Sequence, residues 1–236
     1  MYTDSRGGHN QKLFNKDFFK RWSPQMAYVL GYIYADGAIE DVRVSSRTCY
    51  ITITSVDRNL LEKVKKSLSS NHNLYIRKEH SNIFPNGKRY LCKESYILRI
   101  GSKYMYEDLI RLGVTPRKSL TLKFPKIPIK LVNHFIRGYF DGDGCVRVSI
   151  ENGRKLPSIK TIFTCGSMKF LVALNYTLNK MADSKSQNII HCAHSYQLGY
   201  KKYDSLKILD FMYKDLNQSP FLDRKYNIYK AYKDIL

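Results

Sequence analysis

One segment of this chain occurs twice, and its neighbours recur with it in the same order, which obliges the chain to fold as two related halves. Gly31-Tyr32-Ile33-Tyr34-Ala35-Asp36-Gly37 returns as Gly138-Tyr139-Phe140-Asp141-Gly142-Asp143-Gly144. After the first copy, Thr52-Ile53-Thr54-Ser55-Val56-Asp57 leads into the helical spacing Leu60, Leu61, Val64, Leu68. After the second, Ile162-Phe163-Thr164-Cys165-Gly166-Ser167 leads into Phe170, Leu171, Leu174, Leu178. Later still, Pro116-Arg117-Lys118-Ser119 answers Asp223-Arg224-Lys225-Tyr226. The offset is 107 residues from Asp36 to Asp143 and again from Lys118 to Lys225. An acid and a base therefore recur at one spacing.

Local signals fill in each half. Ser23 before Pro24 reads as an N-cap and first helical position, so a helix is expected from there to Asp36-Gly37. Pro128 is expected to open a second one ending at Asp143-Gly144. Gly37 and Gly144 read as residues just past a helix C-terminus, and Asp57 and Ser167 as N-caps. Alternation of Val42 and Val44 with Arg43 and Ser45, and of Val146, Val148 and Ile150 with Arg147 and Ser149, predicts a strand after each motif helix. The expected fold class is α+β: two pseudo-symmetric units, each reading helix, hairpin, helix, hairpin, helix. The expected boundaries are a basic N-terminal arm over 1–22, a first unit over 23–123, a linker over 124–128 at Phe124-Pro125-Lys126-Ile127-Pro128, and a second unit over 129–236. Each unit alone has roughly a hundred residues, marginal for an independent core, so the two should share an interface.

That interface is foreshadowed by small residues four apart: Ala27, Gly31 and Ala35 on one motif helix, Gly138 and Gly142 on the other. Such a face lets two backbones approach closely, and glycine inside a helix, at a cost of up to ~1 kcal/mol, needs such a reason. Packing the helices brings Asp36 and Asp143 together at their C-terminal ends. Each carboxylate then faces the negative end of a helix dipole and its twin, an arrangement that calls for a cation. Hard carboxylate oxygens suit Mg²⁺, which keeps water and substrate phosphate among its ligands. A lone Asp-Gly would be an ordinary helix-ending turn; two at matched positions, each with a matched lysine, favour a functional role. Asp141-Gly142-Asp143-Gly144 does not continue as a calcium loop, because Cys145, Val146 and Asn152 occupy positions where that loop needs a ligand, a glycine and a glutamate.

Forty Lys and Arg against 20 Asp and Glu give a formal charge of +20. A compact body with that excess attracts a phosphate backbone by counterion release, although a lysine-biased genome would also raise the charge. Hydrophobic residues make up 43% of the chain, which separates it from a disordered polycation. The stretch Ser23 to Ala35 is too short to span a bilayer, and Met1 to Gln11 lacks the apolar core of a signal peptide. Five scattered cysteines, Cys49, Cys92, Cys145, Cys165 and Cys192, form no C-x-x-C pair, which argues against structural zinc. An intracellular protein is expected, in a bacterial cytoplasm or an organelle.

Val29-Leu30-Gly31-Tyr32-Ile33-Tyr34-Ala35-Asp36-Gly37 and Ile136-Arg137-Gly138-Tyr139-Phe140-Asp141-Gly142-Asp143-Gly144 resemble the two signature segments of single-chain LAGLIDADG homing endonucleases. The resemblance runs from about Ser23 to the end. It implies two αββαββα units packed through the motif helices, with antiparallel sheets forming a saddle over double-stranded DNA, and a monomer with pseudo-two-fold symmetry. It also implies a metal-dependent DNA endonuclease cutting at a long asymmetric target. Asp36 and Asp143 would bind Mg²⁺, with Mn²⁺ as a substitute, assisted by the carbonyls of Ala35 and Gly142. Lys118 and Lys225 match the basic residues flanking the centre, where they would stabilise developing charge or order solvent. Ser55 and Cys165 stand near a position that is often a polar residue in that family. Tyr34 departs from the pattern, standing where Asp141 keeps the earlier motif acid, and reads as a local packing difference.

DNA recognition is expected from strand side chains facing away from the packed helices: Arg43, Ser45, Tyr50, Thr52, Thr54, Arg77, Lys93 and Arg99 in the first half. In the second half they are Arg147, Ser149, Lys160, Thr164 and Gln197. The loops Asn86-Gly87-Lys88-Arg89 and Gly153-Arg154-Lys155 are expected to grip phosphate. Tyr28, Tyr32, Tyr139 and Tyr229 fall at core spacing and read as structural, and His191 and His194 read as exposed strand positions with no third metal ligand. A maturase assisting intron RNA, or a non-cutting regulator, would use the same saddle; retention of both acids favours cleavage. With no splicing domain in the sequence, an intron-encoded or free-standing enzyme is expected.

Overall fold

The computed structural model describes residues 12–40, 49–83, 87–150 and 157–235. Arg43, Ser45, Asn86, Arg154 and Lys155 lie outside the described residues. The first half runs α1 (Pro24–Asp36), β1 (Gly37–Ile39), β2 (Tyr50–Ser55), α2 (Arg58–Ser67), β3 (Tyr75–Arg77), β4 (His80–Ile83), β5 (Arg89–Cys92), β6 (Ser95–Gly101) and α3 (Lys103–Arg111), closing on a 3-10 turn at Lys118–Leu120. The second runs α4 (Val132–Asp143), β7 (Gly144–Ser149), β8 (Ser158–Cys165), α5 (Met168–Ala182), β9 (Ile189–Cys192), β10 (Ser195–Lys201), α6 (Lys202–Tyr213) and α7 (Asp223–Lys233). Both four-stranded sheets are antiparallel and share one order, β1-β2-β6-β3 and β7-β8-β10-β9, so each motif helix feeds directly into the first strand of its own sheet.

Three helices, α1, α3 and α5, start on a serine whose hydroxyl caps them, whereas Asp57 stands at the start of α2 without a side-chain cap bond. The Ser23 hydroxyl accepts from the Met26 N–H at 3.1 Å, and the Ser167 hydroxyl from Phe170 N–H at 3.4 Å. Pro128 opens a 3-10 turn over Ile129–Leu131 before α4 starts at Val132, later than its position in the sequence suggests. Gly37 and Gly144 do not take the left-handed conformation of a helix-ending glycine. Both are extended, with ψ of 153° and 162°, because a strand begins there at once. Glycine is still required: a Cβ at Gly37 would lie 2.7 Å from the Ile33 Cα, and one at Gly144 would lie 2.1 Å from the Phe140 ring.

The halves meet through α1 and α4. A Cβ on Gly31 would lie 2.0 Å from the Phe135 carbonyl oxygen, and one on Gly138 would lie 2.0 Å from that of Tyr28. Small-residue packing thus brings backbone against backbone, as the four-residue spacing requires. Around this contact Tyr28, Tyr32, Phe135, Ile136, Tyr139 and Phe140 are almost wholly buried, and they join the two sheet cores into one apolar cluster. Tyr34 is buried too, its ring against Phe135 and its hydroxyl donating to the Leu112 carbonyl at 2.6 Å. Residues 12–22 of the N-terminal segment do not project as an arm. Phe14, Phe18 and Phe19 enter the core, and Leu13 and Asn71 exchange hydrogen bonds.

Two elements have no place in a bare repeat. The exposed hairpin β4–β5 interrupts the second hairpin of the first half, and α7 extends the second half beyond the 3-10 turn that carries Lys118 in the first. Among the described residues no helix is long and apolar enough to cross a membrane.

Candidate active site and nucleic-acid interface

Asp36 and Asp143 are the last residues of α1 and α4, whose crossing fixes where their carboxylates lie. A Cβ on Gly142 would lie 2.4 Å from the Ala35 Cβ and 3.1 Å from Asp36 Oδ2, so the acid of the first half sits against the residue preceding the acid of the second. Both carboxylates keep solvent access, yet both are harder to ionise than usual. Asp143 is pushed up to about 6, chiefly by withdrawal from bulk water and then by the Asp36 charge, against the pull of Lys118 and Lys225. Asp36 is raised by the same withdrawal, and is opposed by both lysines and by a hydrogen bond from Tyr32. The two acids feel each other, and each feels the bases of both halves.

The lysines are buried, 7% and 3% exposed, and this decides what they can do. Lys225 Nζ donates to the carbonyls of Phe140 (2.5 Å), Asp141 (3.0 Å) and Gly144 (2.5 Å). An ammonium has three protons, so all are committed to the end of α4. Lys118 Nζ donates to the Gly37 carbonyl at 2.5 Å and to that of Ala35 at 3.5 Å, which leaves one proton free. Burial lowers both, Lys225 to about 8. The lysines thus cap the carbonyl ends of the motif helices and supply positive potential to the acids. Only Lys118 retains a donor for a further partner, and the Ala35 carbonyl is already a distant acceptor for it.

Asp141 plays another part. Its Oδ2 accepts from the Tyr28 hydroxyl at 2.7 Å and from Leu222 N–H at 2.9 Å, where α7 begins. Tyr34, at the matching position of the first half, reaches the carbonyl at the end of α3 instead. Each fastens the segment leading to its half's lysine. Ser55 and Cys165 are both buried at the ends of β2 and β8 and accept from backbone N–H groups of Asp57 and Ser167.

Arg224 is a residue that repeat matching left unassigned, although it precedes Lys225 as Arg117 precedes Lys118. Its Nε donates to Asp57 Oδ2 at 3.1 Å across the two halves, and its charge lowers Asp36. With Tyr32, Asp36, Thr54, Ser55 and Gly142 it lines a cavity of 340 Å³ on the Asp36 side of the pair. The donor set fits a divalent cation of the Mg²⁺ class: hard carboxylate oxygens in mutual repulsion, with room beside Asp36 for water. Among the described residues no group of three His, Cys, Asp or Glu side chains converges.

Strand burial alternates as the sequence requires. In β2, Ile51, Ile53 and Ser55 are buried while Tyr50, Thr52 and Thr54 face away from the core; in β8, Lys160 and Thr164 alternate with Ile159, Thr161 and Phe163. Pairing carries this face across each sheet. Thr52 is opposite Arg99, Arg77 opposite Ser95, Thr164 opposite Gln197, and Lys160 opposite Arg147, with Ser149 at the end of β7. Arg99 is not free, because it stacks 3.8 Å over the Tyr50 ring and donates to Glu40 at 2.6 Å. Lys93 lies in the connection between β5 and β6, off the strand face where it was expected, and Arg89 lies within β5 and not in a loop. Both belong to the inserted hairpin region that interrupts the repeat. His191 is an exposed β9 residue and His194 lies in the turn after it.

Residues 130–182, from the start of α4 through α5, match the model of the LAGLIDADG-like domain family. Solved structures extend the likeness over both halves. The LAGLIDADG meganuclease I-AabMI, solved bound to uncleaved DNA, aligns over 91% of this chain and 90% of its own at 14% identity, with a TM-score of 0.54. The chain has the LAGLIDADG homing-endonuclease fold. I-WcaI, a homing endonuclease bound to its DNA recognition sequence, gives a TM-score of 0.57 at 13% identity over 90% of this chain and 91% of that one. A mesophilic variant of the homing endonuclease I-DmoI gives 0.54 at 17% identity over 88% and 96%. No curated protein matches the sequence. Within the LAGLIDADG fold, Asp36 and Asp143 end the two motif helices.

Proposed function

We propose that this chain is an intracellular, site-specific double-strand DNA endonuclease of the LAGLIDADG homing type, monomeric and acting on a long asymmetric duplex. One observation carries the reading: two acids of depressed acidity, one from each half, end the crossed helices between two sheets whose outward faces are rich in polar and basic residues. The two sheet faces form the DNA saddle, with Asp36 and Asp143 at its middle. The chemistry is hydrolysis of one phosphodiester per strand, leaving 5′-phosphate and 3′-hydroxyl ends. Bound Mg²⁺, or Mn²⁺ in its place, supplies water activation and charge neutralisation at the scissile phosphate. Asp36 and Asp143 hold it, with the Gly142 and Ala35 carbonyls alongside. Lys225 acts as a positioning residue through the end of α4, while Lys118, with a proton to spare, is the better placed of the two to meet phosphate or ordered water. Arg224 beside Asp36 adds a further cation for the substrate. The difference between the halves' outward faces fits an asymmetric target.

The test is cleavage of duplex DNA by the purified protein with and without Mg²⁺ or Mn²⁺. Asp36→Asn and Asp143→Asn are each expected to abolish the double-strand break while duplex binding persists. Cutting that survives both changes removes this centre. Tight, salt-sensitive binding without any metal-dependent product would make the chain a non-cutting binder.

A further inference from the structure

Three basic side chains stand in one cross-strand row of the second sheet. Arg147 on β7 pairs with Lys160 on β8, and Lys160 pairs with Lys201 on β10. All three lie on the face turned from the core, Arg147 and Lys201 exposed and Lys160 half-buried, and none is held in an ion pair among the described residues. Like charges directly opposite one another destabilise a sheet, so this row makes physical sense only against a partner dense in acceptors. The corresponding row of the first sheet is different in kind: Glu40, Tyr50 and Gly101, with Glu40 engaged by Arg99. The pseudo-symmetry of the backbone is therefore broken in charge at one defined place.

We infer that Arg147, Lys160 and Lys201 form a guanine-reading row, which places a G·C block in the target on the second half's side with no counterpart at the symmetry-related position of the first; this rests on the endonuclease reading above. Neighbouring strands are about 4.8 Å apart, so the row spans about 10 Å, within a major groove about 12 Å wide. Lys160 and Lys201 stand on the two interior strands of the sheet, with Arg147 at its edge. Guanine offers O6 and N7 to cationic donors in that groove, and Arg and Lys are its commonest partners. Arg147 follows Asp143 by four residues, about 13 Å of strand, which corresponds to about four base-pair steps from the centre. Lys201 is the added member of the set, placed there by the β8–β10 register.

The experiment is recovery of duplexes from a randomised pool by the intact protein without divalent metal, followed by affinity measurements on single-pair variants of the recovered motif. The expected result is a G·C block about four pairs from the cut centre on one side, with none at the same distance on the other, at which discrimination falls roughly 10- to 100-fold in Lys201→Ala and Lys160→Ala and returns in Lys201→Arg. A motif without that block overturns the inference and leaves the endonuclease reading standing. So does a Lys201→Ala protein that binds every duplex more weakly by the same factor with a shallower salt dependence, since that is the mark of a phosphate contact. Recovery of no motif at all removes sequence-specific recognition, and this inference with it.

Discussion

Gly31→Ala tests the packing on which the site depends. The new methyl would start 2.0 Å from the Phe135 carbonyl oxygen, whereas ordinary contact begins at 3.4 Å, so the two helix backbones must part by about 1.4 Å locally. The obstacle is main chain, which cannot swing aside as a side chain would. Overpacking costs about 1–3 kcal/mol, and an overlap of this size with main chain belongs at the upper end, about 2–3 kcal/mol. Alanine in place of glycine returns about 1 kcal/mol of helix propensity, so the net loss should be about 1–2 kcal/mol at least. In a chain of this length that corresponds to a Tm lower by roughly 2–8 °C. Gly138→Ala meets the Tyr28 carbonyl at the same 2.0 Å and should behave alike. The double variant should lose less than the two losses added, because helices parted for one methyl have already made room for the other. Urea denaturation measures all three, with Gly199→Ala as the control, since nothing lies closer than 3.9 Å to its added methyl. A Gly31→Ala protein as stable as the parent, or more so, would refute close backbone contact. Under the proposed function the same change displaces Asp36 relative to Asp143, and about 1 Å of misplacement can cost about 10²-fold in rate.

Other consequences are open to direct measurement. His134 is almost fully buried; its Nδ1 lies 2.9 Å from the Ser219 hydroxyl and accepts from Arg137 Nη2 at 3.2 Å, and burial with the nearby guanidinium lowers it to about 4. Between pH 6.5 and 4 the unfolded chain then holds more protons than the folded one, so stability falls as pH drops through that window, by about 3 kcal/mol from this group; pH-dependent urea titration should show the loss in the parent and little of it in His134→Gln. Tyr34→Phe removes the 2.6 Å hydrogen bond to the Leu112 carbonyl and should cost about 1 kcal/mol in the same assay, with no loss if that carbonyl is readily hydrated. Lys225→Met should impair cleavage through displacement of the α4 end, with a rate loss that Lys225→Arg fails to restore, because a planar fork does not reproduce three carbonyl contacts made by a point ammonium.

The features legible in the sequence were those written locally. Ser23-Pro24 and Ser167 mark helix starts, and the alternation of Ile51 and Ile53 with Tyr50, Thr52 and Thr54 leaves only one way to orient β2. What escaped was set by contacts between distant segments. The β4–β5 hairpin exposes nearly all its residues, so it carries no apolar alternation to announce it. The β8–β10 register, which puts Lys201 beside Lys160, depends on pairing across 41 residues that neither strand specifies alone. Lys118 and Lys225 were recognisable by their offset, yet their burial against helix-end carbonyls is a property of the packed core. The sequence offset marked the pair as equivalent, while their hydrogen bonds make them unequal.

That inequality follows from joining both halves in one chain. Beside the acids, position 35 of one half meets position 142 of the other, and the two share space for a single methyl: Ala35 holds it, and a second one on Gly142 would lie 2.4 Å away. In two identical subunits the same residue would stand at both places, and alanine in each would force the helices apart exactly at the acids. A covalently joined pair can place alanine in one half and glycine in the other. The methyl of Ala35 then packs against Gly142, with the Asp36 carboxylate beside it. The same freedom extends outward to Tyr34 against Asp141, to two committed protons on Lys118 against three on Lys225, and to Glu40-Tyr50-Gly101 against Arg147-Lys160-Lys201. A backbone that stays close to two-fold symmetry thus supports acids, bases and outward sheet faces that do not, which is the arrangement the proposed asymmetric target demands.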